Sequence, residues 1–291
     1  MNLNEINNLI QRANALLKTN WLQAVYILQE ALKEEPDNLS LLVNLGDIYL
    51  ERQLYERALS YYQKAISLLP DNPQLLFLIG TCYFSLGEYR IANSYYNRIP
   101  DPPPEILYNI ALSYAFLGSY QESIDIIHKI LKVMDDNPFI YFLLIEQYVR
   151  IQNYDRAYEI ILTAENKFGK HRQLLLLSAL VYGKKGIWLK SYHCFVEYES
   201  LGEITNPDHL MAYANAAVNI GMNDRAIELL QRAQEINPYI NAVYEELIRL
   251  YLKKKDYKNA KKVLDTAKRY ISRFSPVLYL FKERLENPHL E

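Results

Sequence analysis

Residues 41–72 read LLVNLGDIYLERQLYERALSYYQKAISLLPDN, and the spacing of the apolar side chains in this stretch decides the fold. Leu42, Leu45 and Tyr49 recur at the i, i+3, i+7 interval that places side chains along one buried face of a helix. A short turn follows, and a second helix continues until Pro70, because proline is not accommodated inside a helix. The stretch therefore predicts two helices joined by a turn, each with one face to bury.

The same pattern recurs about every 34 residues along nearly the whole chain. One aromatic series consists of Tyr49, Tyr83, Tyr114, Tyr148, Tyr182 and Tyr251. A second consists of Tyr55, Tyr89, Tyr120, Tyr154, Trp188 and Tyr257. A series of small residues follows them at Ala24, Ala58, Ala92, Ser123, Ala157, Ser191, Ala226 and Ala260. One fixed period of this length predicts a stacked array, because a single unit cannot bury its apolar faces alone.

The unit at 41–72 resembles a tetratricopeptide repeat. The residues that carry the resemblance, in the order and spacing of that motif, are Leu45-Gly46, Tyr49, Tyr55, Ala58, Tyr62, Ala65 and Pro70. The likeness extends over most of the chain. It implies an all-α fold, a right-handed α-solenoid of about eight tandem helix–turn–helix repeats followed by a C-terminal capping helix.

The resemblance divides the chain, expected to be a single solenoid over 1–291, into units of similar length. Their approximate bounds are 3–38, 39–72, 73–103, 104–137, 138–171, 172–206, 207–240 and 241–274, with the capping helix at 275–287. The segment Arg98–Pro104 holds four of the twelve prolines, so the second helix of the third unit should be cut short. A candidate point of flexure lies at 99–104.

Composition and local motifs give no sign of chemistry. The net charge is −2, so no overall field favours nucleic acid or an anionic membrane. Cys82 and Cys194 lack metal-ligand spacing and are predicted to be free thiols. The histidines are scattered, His289 among them, and the Gly183–Gly186 turn (GKKG) does not match a phosphate-binding loop. We expect a protein without catalytic residues, metal or cofactor.

Targeting and membrane segments are also missing from the sequence. Residues 1–20 form an amphipathic pattern without the basic start and apolar core of a signal peptide. No stretch approaches the length of a membrane span. These features predict a cytoplasmic protein.

The resemblance places ligands on the concave face, which the first helices of successive units line. The candidate groove residues are Asn44, Asp47, Phe77, Thr81, Phe84, Tyr108, Asn109, Phe116, Phe142, Glu146 and Arg150, and the series continues with Leu176 and Leu180. Phe77, Tyr108 and Phe142 hold the same place in three units, either as apolar anchors for a partner or as core residues. They occupy the sites where chaperone-binding members carry a carboxylate clamp, so that clamp is absent.

Polar groove positions suggest how a partner would be oriented. Asn44 and Asn109, with Asn215 nearby in the pattern, resemble inward asparagines that hold a peptide backbone in some arrays, because an amide is both donor and acceptor. The sequence therefore favours a non-enzymatic scaffold or adaptor that binds a peptide segment of a partner protein. A peptide-sensing regulator that flexes at 99–104 is an alternative, and self-association is a further one.

Lysines cluster near the C-terminus. They are Lys253, Lys254, Lys255, Lys258, Lys261 and Lys262. Such a cluster is either a solvated face or a docking patch for a phosphate backbone, an acidic lipid or an acidic protein tail. Nucleic-acid binding through this patch is the less favoured reading, because the candidate groove is apolar and acidic.

Overall fold

The computed structural model describes residues 3–286, so the expectations for residues 1–2, for the last residue of the capping helix and for His289 lie outside it. Within residues 3–286 the chain forms seventeen α-helices and no strand. The first nine are α1 (Leu3–Leu16), α2 (Trp21–Glu34), α3 (Leu39–Glu51), α4 (Tyr55–Leu68), α5 (Pro73–Ser85), α6 (Tyr89–Tyr96), α7 (Pro104–Phe116), α8 (Tyr120–Leu131) and α9 (Pro138–Arg150). The others are α10 (Tyr154–Phe168), α11 (Arg172–Lys184), α12 (Trp188–Ser200), α13 (Pro207–Asn219), α14 (Asn223–Ile236), α15 (Asn241–Lys253), α16 (Tyr257–Tyr270) and α17 (Pro276–Glu286).

The predicted all-α repeat fold is confirmed. The chain divides into two compact units, Met1–Leu143 and Leu144–Glu291. In the first unit, α1 packs on α2, α3 on α4, α5 on α6 and α7 on α8, and each pair also contacts the next. In the second unit, α11 packs on α12, α13 on α14 and α15 on α16 in the same manner. A single solenoid domain over 1–291 and a flexure at 99–104 stay predictions.

Asparagines begin several of the first helices. The side chains of Asn38 and Asn72 each accept a hydrogen bond from the backbone N–H three residues later, at 3.1 and 3.0 Å. These bonds satisfy amide groups that have no partner inside the helix. Pro73 and Pro207 then occupy the first helical turn, where the missing N–H costs nothing.

The small-residue series marks the closest approach of paired helices. All eight of its members are buried, with at most 1% of any residue exposed. Ser123 and Ser191 donate hydrogen bonds to the backbone oxygens of Ala111 and Ala179, at 2.8 and 2.7 Å. A hydroxyl thus replaces a methyl group at these two places without leaving a buried polar atom unsatisfied.

The predicted short second helix of the third repeat, at 73–103, is confirmed. Helix α6 has eight residues, whereas α4 has fourteen. The chain leaves the helix at Asn97, and Ile99 is buried under it before the prolines begin. Helix α7 then starts at Pro104, so the prolines both end one helix and begin the next.

The last helix, α17, covers the end of the second unit. It packs against α15 and α16, and Leu278 is fully buried there. Phe281 and Leu285 are partly buried on the same cluster, which contains Tyr244 and Ile248. The predicted capping helix is therefore present over the described residues.

Candidate functional site

A cavity of about 840 Å³ lies in the second unit. Its wall is formed by the first helices of three consecutive repeats, α11, α13 and α15, and by parts of α12 and α14. The apolar lining includes Leu180, Trp188, Phe195, Met211 and Val218. A cavity of this size is within the range of about 300–1,000 Å³ that is typical of ligand sites in proteins.

Small side chains create this space. Gly183 corresponds in the repeat to Leu50 and Phe84, and Ala212 corresponds to Asn44 and Asn109. Both residues line the cavity, as does Ala242 near the start of α15. The cavity therefore lies on the side of the first helices that carries the predicted groove residues, which we call the groove face.

Polar groups at the edge of the cavity come from three helices. Lys184, Asn215 and Glu246 belong to α11, α13 and α15 respectively. Glu246 accepts a hydrogen bond from Arg249 at 2.5 Å, and Lys185 is paired with Asp155. The edge thus offers a cation, an amide and a carboxylate around an apolar interior.

Three of the predicted groove residues in the first unit are held by hydrogen bonds. Asp47 accepts a bond from the hydroxyl of Tyr62 at 2.6 Å, and burial raises the pKa of this carboxyl above its ordinary value. Thr81 donates to the backbone oxygen of Phe77 at 2.9 Å, and Asn44 donates to that of Ser40 at 2.8 Å. Asn44 therefore uses one of its amide donors within its own helix.

Aromatic residues of the first unit gather at the C-terminal ends of α5 and α7. Phe116 is stacked on Tyr89 with a centroid distance of 4.7 Å, and Phe84 meets both rings edge-on. Phe116 is 59% exposed, which makes it the most accessible member of the cluster. Phe84 and Phe116 are predicted groove residues, whereas Tyr89 belongs to the second aromatic series.

The row formed by Phe77, Tyr108 and Phe142 does not lie uniformly at the surface. Phe142 is 1% exposed, and this corrects its placement among residues that meet a partner. It packs edge-on against Phe139, at 5.8 Å between centroids. Phe77 is half-buried against Tyr96, and Tyr108 is half-buried as well. Asn109, beside Tyr108, is also half-exposed.

In the second unit, some of the predicted groove residues line the 840 Å³ cavity, and Glu146 and Arg150 do not. Glu146 accepts a hydrogen bond from Gln173 at 3.3 Å, and burial raises the pKa of its carboxyl. Arg150 is exposed. Leu180 and Asn215 line the large cavity, but the glycine and alanines that make room for it were not predicted. Their signal in the sequence is the replacement of large groove residues by small ones.

The predicted basic patch is exposed but does not form one site. All six lysines are exposed, and Lys254 is paired with Asp224. Of these six lysines, Lys253 lines a second cavity of about 340 Å³. The other residues of its lining include Arg249, Tyr257 and Arg284. The remaining lysines, at 255, 258, 261 and 262, do not line it.

Reactive groups in the described part of the chain are few. Both cysteines are free, and burial raises the pKa of each thiol to about 12, so neither is a thiolate near neutral pH. No cluster of three potential metal ligands is found among residues 3–286. Among those same residues, no helix has the length and apolar character needed to cross a membrane.

Two family profiles match parts of the chain. The profile described as "Tetratricopeptide repeat" matches residues 12–73. The profile described as "Anaphase-promoting complex, cyclosome, subunit 3" matches residues 51–130. No match is found among curated protein sequences.

Solved structures of similar fold include a tetratricopeptide repeat protein from Parabacteroides merdae. It is 22% identical with a TM-score of 0.61, and the match covers 85% of this chain and 98% of that one. The C-terminal part of a repeat protein from Cytophaga hutchinsonii is 13% identical with a TM-score of 0.62, covering 81% and 97%. The Cut9–Hcn1 hetero-tetramer matches with 17% identity and a TM-score of 0.59, covering 100% of this chain and 57% of that one. Residues 12–73 thus match the tetratricopeptide repeat profile, and the paired helices of the chain have the fold of tetratricopeptide repeat proteins.

Proposed function

We propose that this protein is a non-enzymatic scaffold that binds a segment of a partner protein on its groove face. The observation that carries the proposal is the 840 Å³ cavity, which three consecutive first helices build from corresponding positions. Tetratricopeptide repeat proteins generally mediate protein–protein interactions, and the Cut9–Hcn1 hetero-tetramer is one such assembly. The cavity receives an apolar side chain of the bound segment.

The chemistry of the cavity supports a peptide as its ligand. An apolar side chain that enters it is removed from water by Leu180, Met211 and Val218. Asn215, which is exposed, offers an amide group to the backbone on either side of that side chain. A cavity that combines an apolar interior with a few convergent polar groups is typical of a specific binding site.

The two thiols support a role without catalysis. With the pKa of each raised to about 12, neither Cys82 nor Cys194 is an activated nucleophile. The pKa of His209 is lowered by burial, and this imidazole lies outside both cavities. Ser191, which lies in the wall of the 840 Å³ cavity, donates its hydroxyl hydrogen bond to the backbone oxygen of Ala179.

The experiment is the selection of peptides from a random displayed library on the whole chain, followed by affinity measurement on a variant in which the cavity is filled. The variant is Ala212→Trp, because Ala212 is half-exposed and the corresponding positions 78 and 177 hold leucine. Burial of one apolar side chain contributes about 1.5–3 kcal/mol, so the variant should bind the selected peptides roughly ten- to a hundredfold more weakly.

The matched control is Leu189→Trp, which adds the same side chain on α12. Leu189 is 59% exposed and does not line the cavity, so affinity should stay at the wild-type level. Circular dichroism verifies that both variants keep their helix content. A library that yields no binding peptide, or only peptides that bind Ala212→Trp as well as the wild type, would refute the proposal.

A further inference from the structure

The second cavity combines positive charge with apolar surface. It measures about 340 Å³ and is lined by Arg249, Leu252, Lys253, Tyr257, Phe281 and Arg284. Arg249, Leu252 and Lys253 on α15 correspond in the repeat to positions 215, 218 and 219 on α13. The cavity is therefore a continuation of the groove face toward the C-terminus, and α17 completes it.

Cations dominate this end of the second unit. Residues 249–286 contain twelve lysines and arginines but only four aspartates and glutamates. Arg249 is paired with Glu246, but both side chains are well exposed, so the pair is weak and open to competition. Lys253 is exposed and has no ion pair within residues 3–286. The cavity thus presents a cationic edge to a ligand.

The apolar part of the cavity faces the same opening. Tyr257 is 58% exposed, although in the repeat it corresponds to rings such as Tyr89 that are half-buried. Phe281 and Leu252 are partly buried against the cluster under α17. Aromatic and cationic side chains in one lining suit a ligand that carries an apolar side chain between negative groups.

We infer that this cavity binds a linear peptide segment in which an apolar residue is flanked by aspartate or glutamate side chains. The inference rests on the proposed function. It adds that the bound segment is acidic and specifies how the segment is oriented along the groove face. The acidic segment lies at the α17 end of the groove face. The apolar anchor for the 840 Å³ cavity lies on the other side of Glu246, because that residue lines the larger cavity and contacts Arg249 of the smaller one.

The observations favour an acidic peptide over a nucleic acid. A phosphate backbone that follows the groove face would meet Glu246, which lines the 840 Å³ cavity and lies three residues before Arg249 on α15. A cavity of 340 Å³ that is lined by Tyr257 and Phe281 is suited to a side chain rather than to a continuous row of phosphates. A peptide can place its negative groups at the cationic edge and a neutral stretch beside Glu246.

The test uses the fluorescein-labelled peptide Gly-Glu-Glu-Phe-Glu-Glu-Gly with an amidated C-terminus, so that it differs from its Gln counterpart only in the charge of the side chains. Fluorescence anisotropy is measured with the full chain at low salt, beside a counterpart in which every Glu is Gln. The acidic peptide should bind at least about tenfold more tightly, and about 0.3 M salt should remove most of this difference.

Two triple variants separate the cavity from the general positive field. Arg249→Gln/Lys253→Gln/Arg284→Gln removes three charges from the lining, whereas Lys258→Gln/Lys261→Gln/Lys262→Gln removes three outside it. The first should weaken binding about tenfold and the second less than about twofold. The single variant Lys253→Glu, at an exposed position, provides the same test with less risk to folding.

Each outcome decides the matter. Equal losses in both triple variants, or unchanged binding by Lys253→Glu, would overturn the inference in favour of a diffuse field. Binding of a single-stranded oligonucleotide more tightly than the acidic peptide would also overturn it. Leu189→Trp, which lies outside both cavities, should bind the acidic peptide normally. If library peptides fail to bind while the acidic peptide is held, the proposed function of the large cavity fails by itself.

Discussion

At the level of single residues, glycine and tyrosine share one space between paired helices. A Cβ atom on Gly46 would lie 2.3 Å from the ring of Tyr62, and one on Gly80 would lie 2.4 Å from the ring of Tyr96. At 214 the glycine position holds alanine, and the opposite helix carries the smaller Leu230. A smaller side chain on one helix is thus matched by a larger one on the other, as close packing of a core requires.

Replacing Gly46 by alanine should therefore destabilise the first unit. The clash with Tyr62 costs about 1–3 kcal/mol, which exceeds the gain of roughly 1 kcal/mol that alanine brings to a helix. Urea denaturation of the wild type and of Gly46→Ala measures the difference in the free energy of unfolding. In a Tyr62→Leu background the same change should cost less.

Gly183→Ala is the control for this prediction. Its Cβ would lie 3.3 Å from the hydroxyl of Ser191, a contact that a small movement relieves. The variant should be as stable as the wild type or slightly more stable, because alanine is also favoured in a helix. An equal loss of stability in both glycine variants would mean that the clash with Tyr62 is not the cause.

Asp47 should make stability depend on pH. Burial raises the pKa of its carboxyl above 3.8, although the bond from Tyr62 opposes this. Between 3.8 and the raised value the folded state binds more protons than the unfolded state, so stability falls as the pH rises. Asp47→Asn should thus be more stable than the wild type at pH 7, by less than about 1 kcal/mol because an amide is the weaker acceptor. The gain should vanish below an ordinary aspartate pKa in a urea titration across pH. A gain that is independent of pH would contradict this account.

At the level of elements, stacking determines the turns more strongly than residue type does. Gly87 and Gly221 end their helices with positive φ, as expected for glycine. Gln53, Gln152 and Lys255 hold the corresponding positions and take φ of 58°, 57° and 60°. The fixed packing of each helix pair imposes this geometry even where the residue does not favour it.

The short helix α6 contains an unsatisfied amide. Asn93 is 5% exposed, and both polar atoms of its side chain lack a hydrogen-bond partner in the described structure. Leu59 occupies the corresponding position in the preceding repeat and is buried there. Asn93→Leu should therefore raise the free energy of unfolding by about 1–3 kcal/mol.

Chemical denaturation tests this prediction against Asn97→Leu. Asn97 is the exposed residue that ends α6, so its replacement should change stability by less than about 0.5 kcal/mol. If Asn93→Leu were less stable than the wild type, the amide would have to be satisfied by a water molecule or by a ligand of the protein.

At the level of the whole molecule, the sequence predicted the features that recur in the repeats and missed the 840 Å³ cavity, where the repeats depart from their usual side-chain size. The period predicts the helix pairs and the buried small residues, and the prolines of Arg98–Pro104 predict the short α6 before them. Each of these features depends on residue types that can be read in the sequence. The 840 Å³ cavity depends instead on side chains that are too small to fill it, such as Gly183 and Ala212. Phe142 was placed at the groove by register, but register does not determine how deeply a ring is buried.

The predicted capping role of α17 has a consequence for the state of the whole chain. A chain that ends after Phe274 loses Leu278, which is fully buried, and uncovers the cluster that contains Tyr244, Ile248 and Leu264. The loss should cost at least about 3 kcal/mol of stability, since Leu278 alone contributes about 1.5–3 kcal/mol and Phe281 adds to it. The uncovered apolar end should also bind a second copy, so that light scattering after gel filtration shows a larger mass. A chain that ends after Glu286 keeps α17 and should behave as the full chain does. If the shorter chain keeps the mass and the melting temperature of this control, α17 is not a cap.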